Sequence, residues 1–168
     1  MKAEIQSMKV NVLTTGGTID KIYFDALSDY KIGESVIGEL LTRIGVGFEF
    51  EVQSLMRKDS LELTDSDRQS IADAVESADS DHVLVTHGTD TMVATGQWIL
   101  NRVPDKRVIL TGALQPAAFR ETDAVFNIGC ALGALQSVDS GVYITMNGQV
   151  FDVQHVRKNR AENRFETT

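Results

Sequence analysis

Two glycine-containing turns carry hydroxyl and carboxylate side chains in a pattern suited to acyl transfer. Thr15-Gly16-Gly17-Thr18-Ile19-Asp20 follows the apolar run from Val10 to Leu13. His87-Gly88-Thr89-Asp90-Thr91-Met92 follows Val83-Leu84-Val85. A threonine hydroxyl is a poor nucleophile until a base takes its proton. Thr18 and Thr89 are the candidate hydroxyls. On local pattern alone Thr18 reads equally well as a turn threonine satisfying a nearby amide. Asp90 can accept hydrogen bonds from a substrate ammonium. Lys158 and Lys21 are the candidate bases for Thr89; an ammonium beside Asp90 has its charged form favoured, so a neutral lysine base needs desolvation or another compensating effect. The backbone amides of the turns, at Gly17 and Gly88, can receive a developing oxyanion or a carboxylate. This chemistry predicts hydrolysis of an amide in a small zwitterion.

The elements that must position these residues are strands opening onto turns. Three apolar β-formers, a polar turn and an amphipathic segment make the pattern of a buried parallel strand leading to a helix. In an open α/β sheet such turns lie at the carboxyl ends of strands, where ligands bind. The two turns are therefore expected to face one another across one site. Lys2, Glu4, Gln6 and Lys9 mark a solvent-exposed lead-in. Lys21 to Gly33, with Tyr23, Asp25, Ser28, Asp29 and Tyr30, has no sustained period and reads as a lid-like loop or small hairpin.

The rest alternates between strand and helix. Ser35 to Ile44 is a short helix, and Phe48, Phe50 and Val52 alternate as a half-exposed strand near an edge. Thr64 and Asp67 form a capping box ahead of Ile71, Ala72, Val75 and Ala78. Met92 to Leu100 is helical, Val108 to Leu110 is a strand, and Asp123 is the expected cap of a helix through Val125, Ile128, Leu132 and Leu135. Val142 to Ile144 is the last parallel strand. Asn147-Gly148 then turns the chain into a hairpin with Val150 to Val153. Parallel pairing by right-handed crossovers gives an α/β protein with a three-layer α/β/α fold, a mainly parallel sheet and a C-terminal hairpin.

The 168 residues, 42% of them hydrophobic, suit a single domain over 1–168 with a real core. A net charge of -8 argues against unspecific nucleic-acid binding. No stretch approaches the ~20 apolar residues of a membrane span, and Met1 to Met8 lacks a leader-type apolar region, so the expected location is cytoplasmic. Cys130 is the single cysteine and reads as a buried helical thiol. Dinucleotide fingerprints, phosphate loops, a G-x-S-x-G elbow and an H-E-x-x-H pair are all absent. His82, His87 and His155 are too scattered for a zinc site. His87 is expected to support its turn.

These residues resemble the bacterial-type L-asparaginase family, which includes glutaminase-asparaginases. Thr15-Gly16-Gly17-Thr18-Ile19 resembles its first signature, and His87-Gly88-Thr89-Asp90-Thr91-Met92 its second. The resemblance implies Thr18 as nucleophile, Tyr30 as a lid residue orienting it, and Thr89 activated through Lys158 for the water step. It implies Asp90 as anchor of the substrate amine, and Asp59-Ser60 as the segment holding the α-carboxylate. Gly112-Ala113-Leu114-Gln115-Pro116 resembles a wall turn in which the Ala113 carbonyl lies near the amide. The implied fold is flavodoxin-like. The implied reaction converts asparagine or a close analogue to aspartate and ammonia, without a cofactor or metal. The implied assembly is a homo-oligomer, dimer or tetramer. The resemblance covers only the family's N-terminal domain; its second domain is absent from this sequence. The alternative reading is a non-catalytic amino-acid binding or sensor module that kept the pocket.

Overall fold

The computed structural model describes residues 8–24 and 29–168. The lead-in at Lys2, Glu4 and Gln6, and Asp25 and Ser28 of the lid-like loop, lie outside the described residues. The main sheet has six strands in the order β4-β1-β5-β6-β7-β8. They are β1 (Lys9–Gly16), β4 (Glu49–Lys58), β5 (His82–Thr86), β6 (Arg107–Thr111), β7 (Gly141–Met146) and β8 (Gln149–Asp152). Five are parallel, and β8 returns antiparallel beside β7. Asn147 (φ 53) and Gly148 (φ 77) form the expected left-handed pair in that turn.

Period-2 alternation divides the strands between two faces. Val83, Val85, Val108 and Leu110 pack with α2 (Asp65–Ser77) and α3 (Met92–Arg102). Leu84, Ile109, Val10 and Val12 point the other way, onto α1 (Ile37–Ile44) and α4 (Ala124–Leu135). Central strands with both faces covered explain their continuous apolar runs. The chain goes from β1 outward to β4 and then back across to β5. The carboxyl ends of β1 and β5 thus flank the switch point of the sheet, where connections diverge and leave a crevice.

One crossover departs from the expected hand. The β5-α3-β6 and β6-α4-β7 units step in the same direction along the sheet, yet α3 and α4 lie on opposite faces. The β1-α1-β4 unit steps the other way on the face of α4, so it shares the hand of the α3 unit. Three crossovers are therefore of the usual right-handed kind, and β6-α4-β7 is left-handed. That connection, residues 112–123, runs across the strand ends beside the two turns.

Smaller elements complete the chain. β2 (Lys21–Phe24) and β3 (Asp29–Ile32) form an antiparallel hairpin in the lid-like segment. β9 (Val156–Asn159) and β10 (Arg164–Thr167) form a second hairpin where the sequence shows only a polar terminus. Phe165 of β10 is buried and its ring centroid lies 6.4 Å from that of Phe151. Thr64 and Asp67 make the capping box of α2. Cys130 is half-buried rather than core, because the neighbouring Ile128, Ala131 and Leu132 take the inner face of α4. Among the described residues no helix is long and apolar enough to cross a membrane.

Candidate active site

Backbone contact brings three strand-end turns together. Gly17 has φ 87 and ψ -175, a conformation open to glycine, and its N–H donates to the Lys58 carbonyl at 3.0 Å. A Cβ on Gly17 would stand 2.5 Å from the Gly88 backbone nitrogen. A Cβ on Gly88 would stand 2.7 Å from the Ser60 side chain. The turns after β1 and β5 therefore touch backbone to backbone, and the Ser60 side chain of the turn after β4 packs directly on Gly88. Two hydroxyls lace them together. Thr15 Oγ1 donates to the Thr86 carbonyl (2.8 Å), and Thr91 Oγ1 to the Ser60 carbonyl (2.7 Å). Thr91 stands at the N-cap of α3 but spends its hydroxyl on this tie instead of on the helix.

The hairpin of β9 and β10 delivers Lys158 to the second turn. Its Nζ donates to Thr89 Oγ1 at 2.6 Å and to Asp90 Oδ1 at 2.8 Å. The Lys158 side chain is only 8% exposed and Thr89 9%. The contact is short and largely shielded from water, geometry that can carry a proton between hydroxyl and amine. Asp90 remains one-third exposed, leaving its carboxylate accessible from outside. Arg160 Nε lies 4.0 Å from the same Oδ1. Lys21 stands elsewhere, 3.7 Å from Asp59 Oδ2, and so does not compete as partner of Thr89.

His87 is fully buried behind the turn. Its Nδ1 lies 2.6 Å from the Gly88 carbonyl, and its Nε2 lies 2.9 Å from the Thr95 hydroxyl on α3. A neutral ring that donates from Nδ1 and accepts at Nε2 satisfies both contacts. Burial pulls its pKa down to about 4, against a smaller upward pull from the Gly88 hydrogen bond. His87 is thus a neutral strut that fixes Gly88.

The remaining sequence-derived candidates occupy varied positions. Thr18 opens a 3-10 turn, Thr18–Asp20, half-buried beside Gly17; among the described residues its hydroxyl has no hydrogen-bond partner. Ser60 is buried against Gly88. The Asp59 carboxylate faces its own chain: it accepts from Leu61 N–H at 3.0 Å and caps the turn that contains Ser60. Ala113 is buried in the wall turn. Tyr30 is 47% exposed on β3, with ring centroids 5.5 Å from Tyr23 and 6.0 Å from Phe119. No hydrogen bond joins it to Thr18 among the described residues. The Gly17 amide is spent on the Lys58 carbonyl, whereas among the described residues the Gly88 and Thr89 amides have no backbone partner.

Asp123 and Asn127 are the residues the motifs missed. Asp123 does not cap α4 with its side chain. Its carboxylate accepts from Leu114 N–H (3.0 Å) and Gln115 N–H (2.9 Å), and from Asn127 Nδ2 (2.8 Å). The fully buried Asn127 also donates to the Gly112 carbonyl (3.0 Å) and accepts from Asn147 N–H (3.2 Å). The pair fixes the wall turn to the β7–β8 turn. Its sequence signal was the i, i+4 spacing of two polar residues at the start of an otherwise apolar helix. Among the described residues no group of three or more His, Cys, Asp or Glu side chains is placed to hold a metal ion.

Comparison with known proteins places the chain in a family. Residues 9–166 match the family described as Asparaginase, N-terminal. The L-asparaginase of Bacillus licheniformis is 28% identical over 168 residues, covering 92% of this chain and 51% of that protein. The glutaminase-asparaginase of Pseudomonas fluorescens biotype A is 33% identical over 93 residues, covering 52% of this chain and 25% of that protein. The thermostable L-asparaginase of Thermococcus kodakarensis superposes with a TM-score of 0.83 at 26% identity, covering 95% of this chain and 51% of that one. The chain spans about half the length of the relatives it matches along its whole extent. Matched by the family model across nearly all its residues, and carrying both strand-end threonine turns at one switch point, the chain belongs to the asparaginase N-terminal family.

Proposed function

We propose that the chain is the catalytic domain of an asparaginase-type amidohydrolase with a threonine nucleophile. The observation that carries this reading is the buried Thr89-Lys158 pair beside Asp90, with Lys158 Nζ at 2.6 Å from Thr89 and 2.8 Å from Asp90. A pocket kept for binding alone gains nothing from a buried amine on a threonine hydroxyl. Thr18 Oγ attacks the side-chain amide carbon of the substrate. The C–N bond breaks, the Thr18 proton leaves with the nitrogen as ammonia, and an ester on Thr18 remains. Water then attacks that ester, guided by Thr89 with its proton path to Lys158. The C–Oγ bond breaks and Thr18 regains its proton. The Gly88 and Thr89 amides supply donors for the oxyanion.

The substrate is a small zwitterionic amide. Asp90, open on one side, takes the ammonium, and the turn at Asp59 and Ser60 takes the carboxylate. Tyr30 closes over Thr18 from the β2–β3 hairpin, and Ala113 lines the wall. The working unit is a homo-oligomer, in which a second copy covers the open side of the pocket. Ammonia release from L-asparagine, D-asparagine, L-glutamine and N-substituted asparagines tests the reading, with Thr18→Ala and Thr89→Val as controls. Release from at least one substrate, lost in both variants, is expected. Tight binding of a panel member without release identifies a binding module instead. Light scattering tests the assembly, and a monomer at working concentration overturns that part.

A further inference from the structure

Asp20 is a buried carboxylate that the proposed chemistry does not use. It closes the 3-10 turn begun by Thr18: its N–H donates to the Gly17 carbonyl at 3.2 Å. Its own carbonyl accepts from Gly33 N–H at 2.8 Å, at the foot of the β2–β3 hairpin that carries Tyr30. The residue is 5% exposed, and Oδ1 has no hydrogen-bond partner among the described residues. An uncompensated buried carboxylate is costly in its charged form.

The surroundings offer only partial relief. Ser35, in the link before α1, and Arg57, on β4, both favour the carboxylate, but less strongly than burial disfavours it. Arg57 is half exposed and its Nη2 is engaged by Glu34 at 2.9 Å. Lys21, next in sequence, is turned toward Asp59. The net result is a carboxyl raised to about 6. In this arrangement Oδ1 is buried away from water with no partner among the described residues.

We propose that Asp20 is the positioning residue of the Thr18 turn and acts as a proton-operated latch. Its neutral carboxyl holds the turn and the hairpin foot closed; its carboxylate loosens both. The sign follows from linkage. The closed form prefers the proton and the open, hydrated form titrates like an ordinary aspartate. Opening therefore grows as pH rises from about 4 to about 6 and is level above that. The consequence for turnover rests on Thr18 being the nucleophile: KM should rise across the same window as the hairpin that carries Tyr30 loosens. The latch itself does not depend on that reading.

Hydrogen exchange read by NMR needs no substrate and separates the two claims. The reporters are the amides of Asp20, Lys21 and Gly33, corrected for intrinsic exchange between pH 4 and 7. Their opening constant is expected to rise roughly tenfold per pH unit up to about pH 6, by about a hundredfold in all. Asp20→Asn should hold opening low at every pH, and Ser35→Ala should move the midpoint upward. Should Asp20→Asn fail to fold, the side-chain carboxyl ¹³C titration of the wild-type chain decides, and it must share its midpoint with the three amides. A carboxyl titrating near 4, or amides whose pH response is the same in wild type and Asp20→Asn, overturns the latch. A latch seen by exchange with no ammonia release from any substrate leaves the latch standing and refutes the hydrolase reading.

Discussion

Replacing Gly17 by alanine tests whether the site is built by backbone contact. Two costs add. A non-glycine residue at φ 87, ψ -175 lies in a region that stores roughly 1–3 kcal/mol of strain. The new methyl would also meet the Gly88 nitrogen at 2.5 Å and its Cα at 2.6 Å. Both are backbone atoms that no rotamer change can move aside, and forced overpacking costs roughly 1–3 kcal/mol. The expected loss is about 4 kcal/mol, a large part of the 5–15 kcal/mol typical of a domain. Denaturant unfolding followed by Trp98 fluorescence measures it. Gly129→Ala is the control: nothing lies within 4 Å of its Cβ position on α4, so it should stabilise by about 0.5–1 kcal/mol. In whatever fraction of Gly17→Ala remains folded, the two threonine turns must part by several tenths of an ångström or more. Activity should then fall by about a hundredfold. A Gly17→Ala protein within about 1 kcal/mol of wild type, with unchanged activity, would refute the close contact.

Other perturbations follow from the same geometry. Lys158→Met should lower the rate of ammonia release by about 10²–10⁴-fold while the protein stays folded, as loss of a proton-transfer group does; circular dichroism and a kinetic assay check it together. Asp123→Ala leaves the Leu114 and Gln115 amides without their acceptor and should cost about 1–3 kcal/mol in denaturant unfolding. Asp20 and His87, both buried, should largely offset one another's pH dependence between about pH 4 and about pH 6. Asp20, raised from 3.8 to about 6, adds about 3 kcal/mol as pH falls through that window. His87, lowered from 6.5 to about 4, removes about 3 kcal/mol as pH falls from 6.5 to 4. Asp20→Asn exposes the second effect alone, so this variant should lose stability steeply below pH 6 in a pH series of unfolding midpoints.

Much of the arrangement was legible in the sequence because strand ends and chemistry coincide. The runs Val10–Leu13 and Val83–Val85 announce buried parallel strands, and the turns after them hold the threonines. Thr64 and Asp67 announce the start of α2, and Asn147-Gly148 the β8 hairpin. What stayed hidden depends on tertiary placement. The left-handed β6-α4-β7 crossover cannot be read from α4, whose sequence is apolar nearly all round. Asp123 has the residue type and position of a cap, yet the amides of Leu114 and Gln115 compete successfully for its carboxylate. The strand β10 has no alternation long enough to register, and is held by Phe165 on Phe151. The distance from Lys158 to Thr89 depends on that same hairpin, 69 residues away in the chain. Tyr30 and Thr18 share no hydrogen bond among the described residues, so the lid role of Tyr30 comes from the resemblance and not from a bond between the two.

The most direct test of threonine-dependent amide hydrolysis is stoichiometric. Purified protein is mixed with L-asparagine, and ammonia and aspartate are quantified over time for wild type and Thr18→Ala side by side. Equal amounts of the two products are expected from wild type, with a rate at least about a hundredfold lower in Thr18→Ala. Equal rates in the two proteins, or no product from wild type while L-asparagine binds, would contradict it.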